Sequence, residues 1–519
     1  MDATPPPRPD ASGSAETAAA PDARPAPRPS PRLSLWRIAM GAAAAALIAL
    51  CWWRLEADTA GLERVDVAID GTPATIWSPA SAAAAPRPVV VIAHGFAGSR
   101  QLMKSFALTL AQNGFVTVSF DYLGHGRNPR PLVGDVTKET GATAALVAET
   151  LKVAQAAAGL AGSDGRVILL GHSMASDIIV RAARQDAERV VATIAISLFS
   201  REVTDAEPAN LLVVTGGQEA FLTAEALTLL RAAAGPEAVE AETYPIGDGG
   251  ARRVAVADGV DHVGVLYSRE TLAETLAWAN RVAAGAPDPD PRSGARPALD
   301  PTALMDDATL AVRGPWILGL LLGVLALAWP LSSVAPRLAP PAGAPTLTRG
   351  RRWALALGPA LATPLLLWPA PFDFLAVLVA DYLALHFALY GALTAALLWR
   401  YGAAAPRLPS WRLGLACAGA AAFAVGAVGL AIDAYVANFA VNGMRAPVVA
   451  ALFMGAAVYC LADAFATHGQ PFWFRAATKI GFLISLALAN SINLQELFYL
   501  ASFPPVVAIF FLLYGLLGL

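Results

Sequence analysis

The chain has 519 residues, 56% of them hydrophobic and 15% charged, with a formal net charge of −3 at pH 7. That balance argues against a nucleic-acid partner held by a basic surface, and it is too apolar for a wholly soluble protein. The three cysteines, Cys51, Cys417 and Cys460, all fall in apolar stretches, so the sequence offers neither a disulfide framework nor a zinc-ligand spacing.

Residues 1–32 are rich in Pro, Ala, Ser and Arg and read as a disordered tail, because they cannot bury enough surface to offset their ordering entropy. Next comes "LWRIAMGAAAAALIALCWWRLE", expected to form a transmembrane anchor helix over 33–54. Trp36, Trp52 and Trp53, with Arg37 and Arg54, stand at its ends as interface anchors. A cleaved signal peptide is the competing reading. No A-x-A site follows, and Leu50 before Cys51 does not suit a lipoprotein site, so a retained anchor is favoured.

Residues 60–285 alternate β-rich runs with helical patterns. Strands are expected at Val65–Ile69, Ala74–Trp77, Val89–Ala93, Val116–Asp121, Val167–Leu170, Val190–Ser197, Leu211–Thr215 and Arg253–Val256. Helices are expected near 100–112, 137–158, 174–187, 223–234 and 269–284. Near-continuous Val/Ile/Leu runs between helices indicate strands buried on both faces, hence an α/β domain with a mostly parallel sheet. A Pro- and Asp-rich linker occupies 286–312. From 313 to 519 the chain becomes an all-α transmembrane domain of about seven helices, near 315–334, 353–371, 375–399, 413–435, 447–466, 478–495 and 499–518.

Lys and Arg set the expected orientation. With the N-terminus inside, the inner segments hold fourteen of them, whereas the short outer loops hold one, Arg445, or three when Arg54 and Arg313 are added. This predicts a multi-pass cell-membrane protein with both termini cytoplasmic and the α/β domain extracytoplasmic. Within the spans, Asp381, His386, Asp433, Asp463 and Asn490 are the notable polar residues. Asp381 and His386, about 140° apart around a helix, do not share a face.

Chemistry is concentrated in 60–285. "VILLGHSMASDII" (167–179) is a strand ending in Gly-His-Ser-Met-Ala and running into a helix. Such a turn holds its serine, Ser173, in a strained conformation at the sheet edge, and needs small residues at Gly171 and Ala175 where strand and helix pack closely. "VVVIAHGFAGSRQLM" (89–103) ends an earlier strand in His-Gly-Phe, "VSFDYLGHGRN" (118–128) follows the first helix, and "VADGVDHVGVLYS" (256–268) places His262 before the last helix.

Together "HGFAGS", "DYLGHGRN", "GHSMAS" and "GVDHVGVL", in this order, make residues 88–284 resemble the α/β-hydrolase superfamily, nearest the serine aminopeptidase S33 and monoacylglycerol-lipase-like branch. The resemblance covers well under half of the chain. It implies a Ser-His-acid triad in that chain order, with Ser173 as nucleophile, His262 as base and the amides of Phe96 and Met174 as oxyanion donors. The acid should follow the strand "LLVVTGG"; Glu219 is the first carboxylate there, with Asp248, Asp258 and Asp261 as rivals, while Asp205 lies before the strand. Asp121, His94, His125 and His172 read as structural. No metal or cofactor is implied.

Relatives commonly insert a helical cap after the strand at 190–197; here only "LFSREVTDAEPAN" (198–210) is available, so a minimal cap is expected. An open serine suits bulky or surface-bound esters, with the membrane domain or bilayer covering it. The expectation is thus a membrane-bound serine hydrolase cleaving ester, or alternatively amide, bonds of lipid-like or envelope substrates, with the lipid bilayer as partner. An envelope acyltransferase with the same triad and a non-catalytic hydrolase-like sensor are the alternatives.

Overall fold

The computed structural model describes residues 35–80, 86–134, 139–247, 249–285, 310–334, 345–370, 379–403 and 411–497, with a few isolated positions beside them. The expected tail at 1–32, most of the linker, most of the span at 499–518, and Asp248 lie outside the described residues.

The first helix, α1 (Leu35–Ala57), leads through a four-residue turn into the sheet. Nine strands follow: β1 (Leu62–Ile69), β2 (Thr72–Pro79), β3 (Arg87–Ala93), β4 (Thr117–Phe120), β5 (Ser163–His172), β6 (Val190–Ile196), β7 (Asn210–Gly216), β8 (Thr243–Ile246) and β9 (Gly250–Ala257). Their spatial order is β1-β2-β4-β3-β5-β6-β7-β9-β8. The six strands from β4 to β9 pair in parallel, and β1, β2 and β8 add antiparallel edges. β8 was not foreseen, because "TYPI" is short and carries a proline, which suits only an edge strand.

β3 and β5 show why the centre is parallel. Val90, Ile92, Ile168 and Leu170 point to one face, against Phe106 and Leu110 of α2 (Lys104–Gln112) and Leu272 and Leu276 of α6 (Arg269–Ala284). Val89, Val91, Val167 and Leu169 point to the other face, against α3 (Ala144–Ala158) and α4 (Met174–Gln185). Alternate side chains therefore meet a helix layer on either side, each fully buried Val or Leu contributing about 1.5–3 kcal/mol. α5 (Ala220–Ala234) follows β7, and its start carries Glu219.

Beyond the sheet come α7 (Gly314–Val334), α8 (Arg349–Leu367), α9 (Ala380–Arg400) and α10 (Trp411–Phe423). α10 continues through a π-helical stretch, Ala424–Gly429, into α11 (Leu430–Tyr435). Then come α12 (Ala446–Thr467) and α13 (Phe472–Ile492). Among the described residues, six helical segments are long and apolar enough to cross a membrane: Leu35–Ala57, Gly314–Leu331, Ala380–Arg400, Cys417–Tyr435, Ala446–Thr467 and Phe472–Ile492. The expected span near 353–371 is a helix but is not among them, since it starts Arg-Gly-Arg-Arg and contains Pro359 and Pro364. Glycines set the helix contacts. A Cβ on Gly391 of α9 would lie 2.6 Å from the Tyr459 backbone nitrogen of α12, and one on Gly319 of α7 would lie 2.7 Å from Cys51 Sγ of α1. Small residues at such crossings let apolar helices approach closely enough for dispersion to hold them.

The two parts touch. Asn438 and Arg445, in the loop between α11 and α12, both donate to the Gly126 carbonyl, with Asn438 Nδ2 at 3.0 Å. Arg445 also reaches the Gly124 carbonyl at 3.3 Å, and Arg127 pairs with Asp433 at 2.5 Å.

Candidate active site

β5 ends at His172 and α4 begins at Met174, which leaves Ser173 alone in the turn at φ 54°, ψ −119°. Positive φ in a non-glycine residue is strained, and here neighbours hold it: Ser173 N donates to the Ile196 carbonyl (2.9 Å), while the Ser173 carbonyl accepts from Ser176 N (2.8 Å) and Ser176 Oγ (2.6 Å). Gly171 is required here, since a Cβ there would sit 2.7 Å from the Ala175 carbonyl oxygen. Ala175 itself is fully buried against the sheet, so the extra methyl at the last position of the motif is accommodated.

The turn aims Ser173 Oγ at His262 Nε2, 2.9 Å away. His262 Nδ1 makes a short hydrogen bond with Glu219 Oε1. The other Glu219 oxygen accepts from Ser197 Oγ and from Gly216 N, both at 2.7 Å. Burial pushes the Glu219 pKa up, but the hydrogen bonds from His262, Gly216 and Ser197 outweigh it and hold the carboxyl below its ordinary range. An ionised carboxylate can only accept, so Nδ1 carries the imidazole proton and Nε2 faces the serine with a free lone pair.

The rival acids are occupied elsewhere or remote. Asp261 Oδ1 caps the turn after His262, accepting from Gly264 N (2.7 Å) and Val263 N (3.2 Å). Asp258 lies at the far end of the same loop, where its backbone amide donates to Glu270. Asp205 sits in the connection between β6 and β7, and Asp248 lies outside the described residues. Sequence reasoning did not find Ser197, which ends β6 at φ 54° and supports Glu219; a polar residue closing an otherwise apolar strand, "VVATIAIS", was the available signal.

The other histidines are structural in form. His94 is buried, and burial, with His125 adding to it, pulls its pKa down to about 3. Its Nε2 accepts from Tyr122 N (3.2 Å), so Nδ1 donates to the Gly95 carbonyl (2.8 Å), which also accepts from Gly98 N (3.1 Å). A planar trans peptide then turns the Phe96 N–H the opposite way. The same loop passes beside the nucleophile turn: a Cβ on Gly95 would lie 3.1 Å from Ser173 Cβ. Met174, the second expected donor, is the first residue of α4, where a backbone N–H has no partner within the helix. His172, lowered to about 4 chiefly by burial, bonds through Nε2 to the His262 carbonyl at 2.9 Å and so braces the loop that carries the imidazole. His125 packs against the Phe96 ring at 5.7 Å. Buried Asp121 joins two loops by accepting from Arg100 N (2.8 Å) and Arg127 N (2.9 Å).

No helix or strand interrupts the connection between β6 and β7, as expected of a minimal cap, and the His262 side chain is 45% exposed. Phe199, Phe221 and Val263, on the segments that carry the site, are all exposed.

Residues 84–226 match the family model of the serine aminopeptidase, S33. Among solved structures, this chain is similar to an epoxide hydrolase from Vigna radiata (20% identity, covering 27% of this chain and 39% of that one, TM-score 0.21). It is also similar to a hypothetical protein from Pseudomonas aeruginosa (13%, 40% and 89%, TM-score 0.30) and to an epoxide hydrolase from an endophytic Streptomyces (22%, 27% and 38%, TM-score 0.22). The chain spans about two fifths of the length of the epoxide hydrolases it matches. The sheet with its flanking helices has the α/β-hydrolase fold, in keeping with the family match over residues 84–226. This α/β-hydrolase-fold part, similar to the S33 serine aminopeptidase, is joined to a helical part whose apolar helices are compatible with a membrane domain.

Proposed function

We propose that the protein is a membrane-bound serine hydrolase that cleaves ester bonds of lipid-like or envelope substrates through an acyl-enzyme. The carrying observation is the hydrogen-bonded chain from Ser173 Oγ through His262 to Glu219. In this reading Ser173 Oγ attacks the substrate carbonyl carbon as His262 Nε2 takes its proton, and Glu219 stabilises the imidazolium. The amides of Phe96 and Met174 receive the oxyanion, each donor worth about 3–4 kcal/mol in the transition state. The carbonyl re-forms as the C–O bond to the leaving alcohol breaks, and His262 returns the proton to that alcohol. Water, deprotonated by the same nitrogen, then attacks the acyl carbonyl; the bond to Ser173 Oγ breaks, His262 returns the proton to that oxygen, and the carboxylic acid leaves.

The open serine and the exposed Phe199, Phe221 and Val263 support an apolar acyl chain arriving from a surface. The Lys and Arg asymmetry of the loops supports an extracytoplasmic position for the hydrolase domain. The full-length protein should be labelled by a fluorophosphonate probe and should hydrolyse a p-nitrophenyl ester. Ser173→Ala should abolish labelling and lower the rate on the order of 10⁶-fold. Folded wild-type protein that takes no label, or label that persists in Ser173→Ala, refutes the reading.

A further inference from the structure

A cavity of about 500 Å³ lies between the sheet and the helical part, away from Ser173. Its walls come from β1, β2, α2, the end of α1 and the end of α11. Both of those helix ends close candidate membrane spans, so the cavity opens where such spans meet water.

Its charges are unequally satisfied. The carboxylates have their donors: Glu56 accepts from Tyr435 Oη at 2.6 Å, and Asp433 accepts from Arg127 (2.5 Å), Phe439 N (2.9 Å) and Ala440 N (3.2 Å). One cation, Lys104, has no acceptor among the described residues, and another, Arg100, has only long ion pairs. Arg100 is 8% exposed, yet its guanidinium reaches Asp121 and Asp66 only at 3.7 and 3.8 Å, beyond hydrogen-bond range. Lys104 Nζ makes no hydrogen bond or ion pair among the described residues; its neighbours are the ring faces of Trp77 (5.4 Å) and Tyr435 (5.7 Å). Burial, with Arg313 adding to it and Glu56 opposing, lowers the Lys104 pKa to about 8. The buried Oε1 of Gln101, on the same wall, lacks a donor. Arg64 stands over the Trp77 ring at 5.7 Å and is already paired with Asp66 at 2.8 Å. A part-buried ammonium without an acceptor is costly, and guanidinium hydrogens held only by long ion pairs beside it match the oxygens of a phosphate.

We infer that this cavity is a binding site for the phosphate of an anionic glycerophospholipid headgroup, with Arg100 and Lys104 on the phosphate oxygens and Gln101 accepting from a headgroup hydroxyl. The site is separate from the serine and does not depend on the chemistry proposed there. Free phosphate shares the recognised group and is the other source.

Binding is measured by calorimetry on the full-length protein in a neutral maltoside detergent, in the Ser173→Ala background so that no probe is turned over. The probes are dihexanoyl phosphatidylglycerol, dihexanoyl phosphatidylcholine and inorganic phosphate. Phosphatidylglycerol should bind at least tenfold more tightly than either other probe. Lys104→Gln should weaken it about tenfold or more, Lys104→Arg should restore it to within threefold, and Lys152→Gln, on an exposed lysine paired with Asp70, should leave it unchanged. If Lys104→Gln fails to fold, Gln101→Ala, which removes the acceptor for the headgroup hydroxyl, should weaken phosphatidylglycerol binding severalfold and leave phosphate binding unchanged. Phosphate binding as tightly as the lipid with the same Lys104 dependence overturns the lipid assignment. Equal binding of both lipids, indifferent to Lys104, overturns the site.

Discussion

The Ser173–His262–Glu219 chain and the core of the helical bundle bury polar groups in opposite ways. In that chain the His262 imidazole has two partners and the Glu219 carboxylate three. In the bundle core, His386 bonds Tyr382 through Nδ1 (3.2 Å), but its Nε2, Tyr390 Oη and Ser485 Oγ have no hydrogen-bond partner among the described residues. Tyr390 and His386 instead pack with Phe482 and Phe387 in an aromatic cluster. Where groups are fully partnered, geometry is fixed well enough for chemistry; where they are not, packing holds the structure and the polar atoms are passengers.

The comparison breaks first at Glu219. Glu219→Gln, which keeps the shape but loses the charge and the imposed tautomer, should lower ester hydrolysis on the order of 10⁴-fold while the thermal melt stays within a few degrees. A loss of tenfold or less would mean that another group orients His262.

Acid stability sharpens it next. His94 and His172 are held neutral by burial, down to about 3 and about 4 against the ordinary 6.5. Below about pH 6.5 the unfolded chain takes up two protons that the folded domain refuses, so this stability is present above that pH. It is lost as pH falls toward the folded values, at up to about 3 kcal/mol per pH unit. Denaturation of the full-length protein between pH 6 and 4.5 measures the slope, and His172→Asn should remove about half of this part. An unchanged slope would show that His172 is protonated in the fold.

The smallest effect belongs to the bundle. Tyr390→Phe deletes an unpartnered buried hydroxyl and should be neutral, or stabilising by up to about 1 kcal/mol, with hydrolysis unchanged. A rate loss of tenfold or more would move the bundle from packing to chemistry.

How much of this was legible depended on how local each signal was. The nucleophile turn is written in five consecutive residues, because its strained φ and close strand–helix approach demand small neighbours at fixed offsets. Glu219 and His262 follow from strand order, and the structure brings both to Ser173 although His262 is eighty-nine positions away. The antiparallel edges were less visible, since β1 and β2 carry polar residues and β8 is only four residues long. The docking of the loop between α11 and α12 had no visible signal. Arg127 and Asp433 are 306 residues apart, and only the three-dimensional path makes them a pair. Arg445 counted in the sequence as a lone positive charge in an outer loop; in the fold its guanidinium is spent on the carbonyls of Gly124 and Gly126.

The turn between α1 and β1 has one more consequence. Thr59 N bonds the Glu56 carbonyl (2.9 Å), Leu62 N bonds the Thr59 carbonyl (3.2 Å), and Arg313 fastens Asp58 (3.0 Å) and the Leu55 carbonyl (2.8 Å) to the start of α7. The leash is therefore stiff and only four residues long. On the proposed reading, in which α1 crosses a bilayer, the sheet domain cannot swim out after solute. On that reading, encounters with the proposed lipid esters become a planar search, in which lateral diffusion and surface density, rather than bulk concentration, set how often Ser173 meets one.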